Sequence, residues 1–208
     1  MSEKRARKGP VPGHTLSEIV AVAVAMADRD GLAAVTVRAL SGELGTGGGA
    51  LYRYFSSRDQ LLDLMVDAAI ADLTTPPSSG DPVADLVAVG RELLELYRRH
   101  GWLVDVRQAV ATPGPHVMDH FERCLAVLAP LPVDASSKME AIALVTGVVT
   151  LFAQHANTGA ATRLSVDSPQ RWPLLSAALS GAPAGESRPD LFGRVLTGAI
   201  RGILSSHR

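Results

Sequence analysis

The triplet Tyr52, Arg53 and Tyr54 sets two phenol hydroxyls around one guanidinium. A guanidinium fork can bond O6 and N7 of one guanine together, and tyrosine hydroxyls suit phosphate oxygens. Arg53 is therefore the best candidate for direct base reading, with Tyr52 expected to pack on its own module as well as to touch nucleic acid. A second cationic group, Lys4, Arg5, Arg7 and Lys8, lies near the start of the chain. Such an arm is expected to enter a minor groove or contact phosphates, although a merely solvated terminus would carry the same residues. Residues 1–60 hold eight basic and six acidic side chains, a net of +2, and the remainder twelve and fifteen, a net of −3. A polyanion meets the N-terminal end first.

A different chemistry is offered by His116, His120 and Cys124, spaced at i, i+4 and i+8. Imidazole and thiolate are zinc-type ligands, but three positions so spaced span about 12 Å of one helix, too far for a single ion. A two-histidine half-site stays open, and hydrogen bonding to a ligand is the stronger expectation; no metal or other cofactor is assigned. As an enzyme dyad, His120 and Cys124 lack a third, orienting residue and any catalytic motif around them. An enzyme is not expected.

These residues need elements to position them. Thr15 can cap a helix in which Leu16, Ile19, Val20, Ala23 and Ala27 recur at helical spacing up to Gly31. Thr36 caps a shorter helix with Val37, Leu40 and Leu44 facing inward. Gly45 follows where the chain must turn with positive φ, Ser41 is small, and Leu51 starts an inward face that Phe55 continues. A small residue, a turn glycine and a buried aliphatic at these offsets let two helices pack closely at a steep angle, which is the helix-turn-helix requirement. An ordinary helical hairpin is the bland alternative.

The stretch from Leu16 to Leu62, containing DRDGLAAVTVRALSGELGTGGGALYRYFSSRDQLL, resembles the DNA-binding domain of the tetracycline-repressor (TetR) family of bacterial regulators. LYRYFSSRDQLL is its most specific part. The resemblance implies that Thr36 opens the helix behind the recognition helix, that Gly48 to Phe55 is the recognition helix, and that Arg58 opens a fourth helix. It also matches Tyr52 and Tyr54 to positions that touch phosphates or bases. With the arm, the expected DNA-binding set is Lys4, Arg5, Arg7, Lys8, Thr36, Arg38, Thr46, Gly48, Ala50, Tyr52, Arg53, Tyr54 and Arg58.

Beyond the module the chain reads as a second helical domain, with boundaries expected at 1–60 and 61–208. Helical segments are expected over Arg58 to Leu73, Pro82 to Arg99, Trp102 to Ala109, Pro115 to Ala129, Ala135 to Thr158, Gln170 to Leu179 and Pro189 to Ser205, punctuated by prolines and a Gly181 to Ser187 loop. RRHGWL at Arg98 to Leu103 is similar to a segment of many C-terminal domains in the family. Leu191, Phe192, Val195, Leu196, Ala199, Ile200, Ile203 and Leu204 make an apolar stripe beside Gly198 and Gly202, and Ala135 to Thr158 is apolar around most of its circumference. Two such helices per subunit suit a four-helix homodimer interface, which would present two recognition helices to two half-sites of double-stranded DNA. A monomeric core would use the same surfaces. The resemblance further implies a small-molecule effector pocket, with Leu93, Tyr97, Trp102, Arg107, His116, His120, Phe121 and Gln154 as candidate linings and a lipophilic or aromatic effector.

The fold class that follows is all-α, an N-terminal three-helix helix-turn-helix domain plus a C-terminal helical ligand-binding and dimerisation domain. Composition agrees: 47% hydrophobic residues with abundant Ala, Leu and Val can bury a core, and 4% aromatics leave helix on helix as the favoured packing. The single cysteine cannot form an internal disulfide, and Met1 to Pro12 lacks the apolar core of a secretory signal, so a cytoplasmic location is expected. The longest uncharged apolar stretch, Ala141 to Ala153, falls short of the roughly 20 residues that span a bilayer. No membrane partner is expected. The expected function is a ligand-responsive repressor released from a palindromic operator, the alternative being a small-molecule-binding helical dimer without sequence-specific DNA binding.

One departure from the family pattern generates a test. A Ser or Thr usually caps the recognition helix, whereas Gly47, Gly48 and Gly49 stand here; glycine caps adequately but is entropically poor inside the first turn. The helix start should therefore fray in free protein and order on DNA. Hydrogen exchange at the Gly48 and Gly49 amides is expected to be fast without DNA and to slow on binding, and strong protection in free protein would contradict this.

Overall fold

The computed structural model describes residues 13–106, 112–158, 170–180 and 190–205, and their regular elements are all helical. The chain forms two compact units, Met1–Asp72 with His100–His120, and Leu73–Arg99 with Phe121–Arg208.

In the first unit, α1 (Leu16–Asp30) starts at Thr15. Thr15 Oγ1 accepts from the Glu18 amide at 3.2 Å and Glu18 Oε2 accepts from the Thr15 amide at 2.8 Å. This reciprocal box satisfies two backbone donors that a helix start leaves orphaned, and the bond to the Thr15 amide is the main reason the Glu18 carboxyl is held below its ordinary range. The helix stops at Gly31, whose φ of 81° suits glycine. After a 3-10 turn at Leu32–Ala34, Thr36 caps α2 (Val37–Glu43) and Ser57 caps α4 (Arg58–Ile70), with the short α3 (Gly48–Leu51) between them. Ile19, Leu40, Leu51, Phe55, Leu61 and Met65, each no more than 2% exposed, form the core of the module.

Two aspartates join residues 100–120 to this module. Asp28 Oδ1 accepts from His100 Nδ1 and from Trp102 Nε1, both at 2.8 Å. Asp67, a buried carboxylate on α4, accepts from the Val117 amide at 3.0 Å and from His116 Nδ1 at 2.9 Å. Burying a carboxylate is costly unless it is hydrogen bonded; here it finds partners at the start of α6 (Pro115–Leu128), where orphan amides and the helix dipole favour negative charge. Gly114 makes room, because a Cβ there would fall on the Asp67 carboxylate.

The second unit is built on α5 (Pro82–Arg99), α7 (Ala135–Thr158) and α9 (Leu191–Ser205), which pack on one another, with α8 (Pro173–Ser180) preceding α9. Leu86, Leu96, Ile142, Val149, Leu196 and Ile200 are buried there, and Gly90 lets α5 approach Leu196 and Val145. Phe152 and Phe192 meet edge to face at 5.2 Å between ring centroids. By length and composition α7 could cross a membrane, but Ala141, Ile142, Val145, Val149 and Ala153 all point into this core. The final stripe divides: Phe192, Leu196 and Ile200 face inward, while Leu191 and Val195 remain 46% and 40% exposed.

Several expected boundaries move. The segment expected as a helix from Trp102 is a 3-10 turn, Gly101–Val104, where the His100 and Trp102 side chains both reach back to Asp28; Arg107 lies outside the described residues. α4 ends at Ile70 and α6 at Leu128. α8 starts at Pro173, a residue preset for the first helical position, and α9 at Leu191, behind Asp190, whose Oδ1 accepts from the Gly193 amide at 3.1 Å. Pro189 itself is outside the described residues.

Gly114→Ala is expected to destabilise the protein by about 1–3 kcal/mol, since the buried carboxylate must abandon its partners or the backbone must shift. Gly42→Ala, on an exposed face of α2 with nothing within 4 Å, should instead be neutral or stabilising by up to about 1 kcal/mol. Denaturant midpoints of the two variants check both signs.

Candidate nucleic-acid interface

A recognition element must be rigid on its inner side and open on its outer side. The inner side is supplied by Leu51 and Phe55, 1% and 2% exposed, and by the buried Ser41, whose hydroxyl donates to the Arg38 carbonyl at 2.9 Å. Gly45 takes φ 61° at the turn, and the Thr46 amide donates to the Ser41 carbonyl at 3.0 Å, so the reversal between α2 and α3 is pinned from both ends. Among the described residues this reproduces the small residue, turn glycine and buried aliphatic expected from the spacing.

The regular helix is shorter than the expected Gly48 to Phe55. α3 covers Gly48–Leu51, and the chain then continues in tight turns in which Tyr54 and Phe55 amides donate to the Leu51 carbonyl at 2.9 and 3.4 Å. Gly47 caps without a side-chain bond, and glycines in the first turn lend no helix propensity, so the burial of Phe55 sets the path after Leu51. A Cβ at Gly47 or Gly49 would meet nothing within 4 Å, and one at Gly48 would make only ordinary contact with Ser41 and Val37. Packing among the described residues does not require these glycines.

Arg38, Tyr52, Arg53 and Arg58 are exposed, and Thr46, Gly48, Ala50 and Tyr54 are half-buried. Tyr52 is 58% exposed, with its ring tilted against Phe55 at 6.4 Å between centroids. Arg58 Nη2 donates to the Leu32 carbonyl at 3.4 Å, tying α4 to the turn after α1. Thr36 is exposed, but its hydroxyl oxygen accepts from the Ala39 amide as the α2 cap. Tyr54 turns inward, its hydroxyl donating to the His14 carbonyl at 2.5 Å. His14 in turn bonds through Nε2 to the Leu44 carbonyl at 2.8 Å. A cleft of about 150 Å³ opens beside these bonds, between Gly13, His14, Leu44, Thr46, Arg53 and Tyr54. Lys4, Arg5, Arg7 and Lys8 lie outside the described residues.

The described effector candidates divide between the units. Trp102, His116 and His120 belong to the first: Trp102 is buried with its indole N–H on Asp28, His116 is exposed with Nδ1 on Asp67, and His120 is buried. Leu93, Tyr97, Phe121 and Gln154 belong to the second, where Leu93 is buried, Tyr97 and Phe121 are half-buried and Gln154 is exposed. Burial raises the Tyr97 phenol above its ordinary range, against a smaller opposing effect from its hydrogen bond with Thr150 on α7. Burial also pushes the Cys124 thiol up to about 11, opposed by the nearby Arg123, so it stays protonated and unsuited to nucleophilic chemistry near neutral pH. Sequence reasoning missed Asp28, Asp67, His14 and Gly114; proline on either side of Gly114 marked a break, without indicating the carboxylate it admits.

With this geometry in place, comparisons with known proteins agree. Residues 19–65 match the family model "Bacterial regulatory proteins, tetR family", and residues 76–206 match "Tetracyclin repressor-like, C-terminal domain". The HTH-type transcriptional repressor DrrR1 of Streptomyces coeruleorubidus is 39% identical over 148 residues, covering 70% of this chain and 55% of that protein. An HTH-type transcriptional regulator of Saccharopolyspora erythraea is 30% identical over 148 residues, covering 71% of this chain and 62% of that one. The chain thus matches less than two thirds of either relative. ActR of Streptomyces coelicolor, solved with (S)-DNPA, shares the fold at a TM-score of 0.79 with 24% identity, over 94% of this chain and 100% of that chain. Matches to both of its halves, together with the helix-turn-helix observed at Thr36 to Phe55, show that the chain belongs to the TetR family of bacterial regulatory proteins.

Proposed function

We propose that this protein is a ligand-responsive transcriptional repressor that acts in the cytoplasm as a homodimer on a palindromic operator. The observation that carries the reading is the recognition element itself: Tyr52 and Arg53 project from a turn whose opposite side is locked by Leu51 and Phe55. Arg53 reads a guanine, Tyr52 and Arg38 contact the backbone, and the basic arm adds phosphate or minor-groove contacts. The glycines at 47–49, which packing among the described residues does not demand, allow a close approach of the DNA backbone. Dimerisation uses α7 and α9, whose Met139, Leu151, Leu191 and Val195 are exposed apolar residues beside a buried core face. Two copies then present two recognition elements to two half-sites.

The effector reading rests on the family and on neighbours: the repressor DrrR1 is a relative, and ActR has been solved with actinorhodin. A lipophilic or aromatic small molecule fits apolar surroundings with a few polar groups such as Tyr97 and Thr150. For release, it must bind the DNA-free arrangement better than the DNA-bound one. A second reading, a helical small-molecule-binding dimer without sequence-specific DNA recognition, is favoured by a recognition helix of four residues that contains two glycines.

Selection of bound duplexes from a random library separates the two. Enrichment of a palindrome is the expected outcome, and no enrichment at low salt would leave the ligand-binding reading in its place. On the selected operator, Arg53→Ala should cost roughly 1–3 kcal/mol and relax preference at one base pair per half-site. Competition with single-base variants reads this, and a uniform loss across them would make Arg53 a phosphate contact instead.

A further inference from the structure

To read a base, Arg53 must hold its guanidinium on one base edge, and such a paired bond tolerates displacements of only about 0.5 Å. Its own backbone is held weakly. Arg53 lies beyond Leu51, the last residue of α3, and its amide reaches the Ala50 carbonyl at 3.4 Å, longer than bonds of this kind usually are. Burial of Leu51 and Phe55 fixes the inner side of the turn. Arg53 and Tyr54 border a cleft of about 150 Å³, so close packing does not hold them on that side.

A chain of hydrogen bonds does. The Tyr54 hydroxyl donates to the His14 carbonyl at 2.5 Å, and a phenol has one hydrogen to give, so the same group cannot also donate to a phosphate. The acceptor is itself fixed. The His14 carbonyl and the Thr15 amide belong to one planar peptide unit, and that amide donates to Glu18 Oε2 at 2.8 Å within the α1 capping box. The His14 ring meets the Leu44 carbonyl at 2.8 Å, and since a carbonyl only accepts, Nε2 carries the hydrogen. Leu44 closes α2 immediately before the Gly45 turn. The start of α1 thus ties the end of α2 to the residue that follows Arg53.

We propose that Tyr54, held by His14, is a positioning residue for Arg53: it fixes the backbone from which the guanidinium reaches its base pair, and so governs sequence discrimination at that pair without touching DNA itself. The inference rests on the DNA-binding reading above. It gives Tyr54 a role apart from the DNA contact that the family resemblance implies, and apart from that of Tyr52, whose ring is mostly exposed.

Discrimination measured position by position tests it. The selected operator is competed against its single-base variants for the full chain, for Tyr54→Phe, for His14→Phe, for Arg53→Ala, and for Tyr54→Phe combined with Arg53→Ala. Tyr54→Phe keeps the ring and removes only the hydroxyl. It is expected to lower discrimination about fivefold at the base pair that Arg53→Ala relaxes, to leave other pairs within about twofold, and to change discrimination less than about twofold once Arg53 is alanine. His14→Phe, which removes the bond to Leu44, should lower discrimination at the same pair. A weakened module or a lost phosphate contact costs all duplexes alike, so an even loss across the variants would overturn the inference. Unaltered discrimination in Tyr54→Phe would overturn it as well. A loss at that pair that persists without the Arg53 guanidinium would make Tyr54 a base reader and refute the positioning role, and a loss in Tyr54→Phe with none in His14→Phe would refute the hold by His14. Failure of the unaltered protein to bind any duplex overturns the DNA-binding reading, and an even loss in Arg53→Ala overturns base reading by Arg53; each is a distinct result that takes this inference with it.

Discussion

A helix of four residues cannot hold itself. Forming a first turn fixes several dihedrals for a single hydrogen bond, and glycines at two of the four positions raise that cost. The recognition element exists because Leu51 and Phe55 are almost wholly removed from water, each burial contributing roughly 1.5–3 kcal/mol. Ile19, Leu40, Leu61 and Met65 complete the core that receives them, so α1, α2 and α4 are the scaffold for one short turn. Its outward residues are thereby released from the demands of the core.

The same unit shows how polar groups are made to serve tertiary structure. Asp28 and Asp67 lie on α1 and α4, and each takes two donors from residues 100–120. Asp28 stays partly open to water, whereas the buried Asp67 carboxylate left unpaired would strongly oppose folding, so its contacts specify one arrangement and penalise others. Asp67 also supplies the cap that the α6 sequence lacks, since Gly114 and Pro115 bring no side-chain acceptor to its first turn.

The second unit is organised by close approach. Gly90 on α5 sits against Leu196, Val145 and Phe192, allowing three helices to share one core. The price is that α9 has apolar residues on more than its inner face: Leu191 and Val195 are left to solvent within one chain. The homodimer proposed above would cover these residues with a second copy of the chain.

The sequence by itself determined where most of the helices lie and the ends that carry a local cap or break. Thr15, Gly31, Thr36 and Gly45 act through local backbone geometry, and the bounds of α5 and α7 match the expected spans because apolar periodicity and proline punctuation are local signals too. The helix-turn-helix was legible for the same reason, its small residue, glycine and aliphatic being fixed in spacing. Only the tertiary structure decided which polar side chains are spent internally. Tyr54 and Tyr52 are the same residue two positions apart, yet one is bound to His14, 40 residues away in sequence, and the other faces outward. Asp67 reads as one more surface acid on α4 until α6, some 50 residues later, brings its amide to it. Contacts across such distances depend on how elements meet in space, and no local pattern records them.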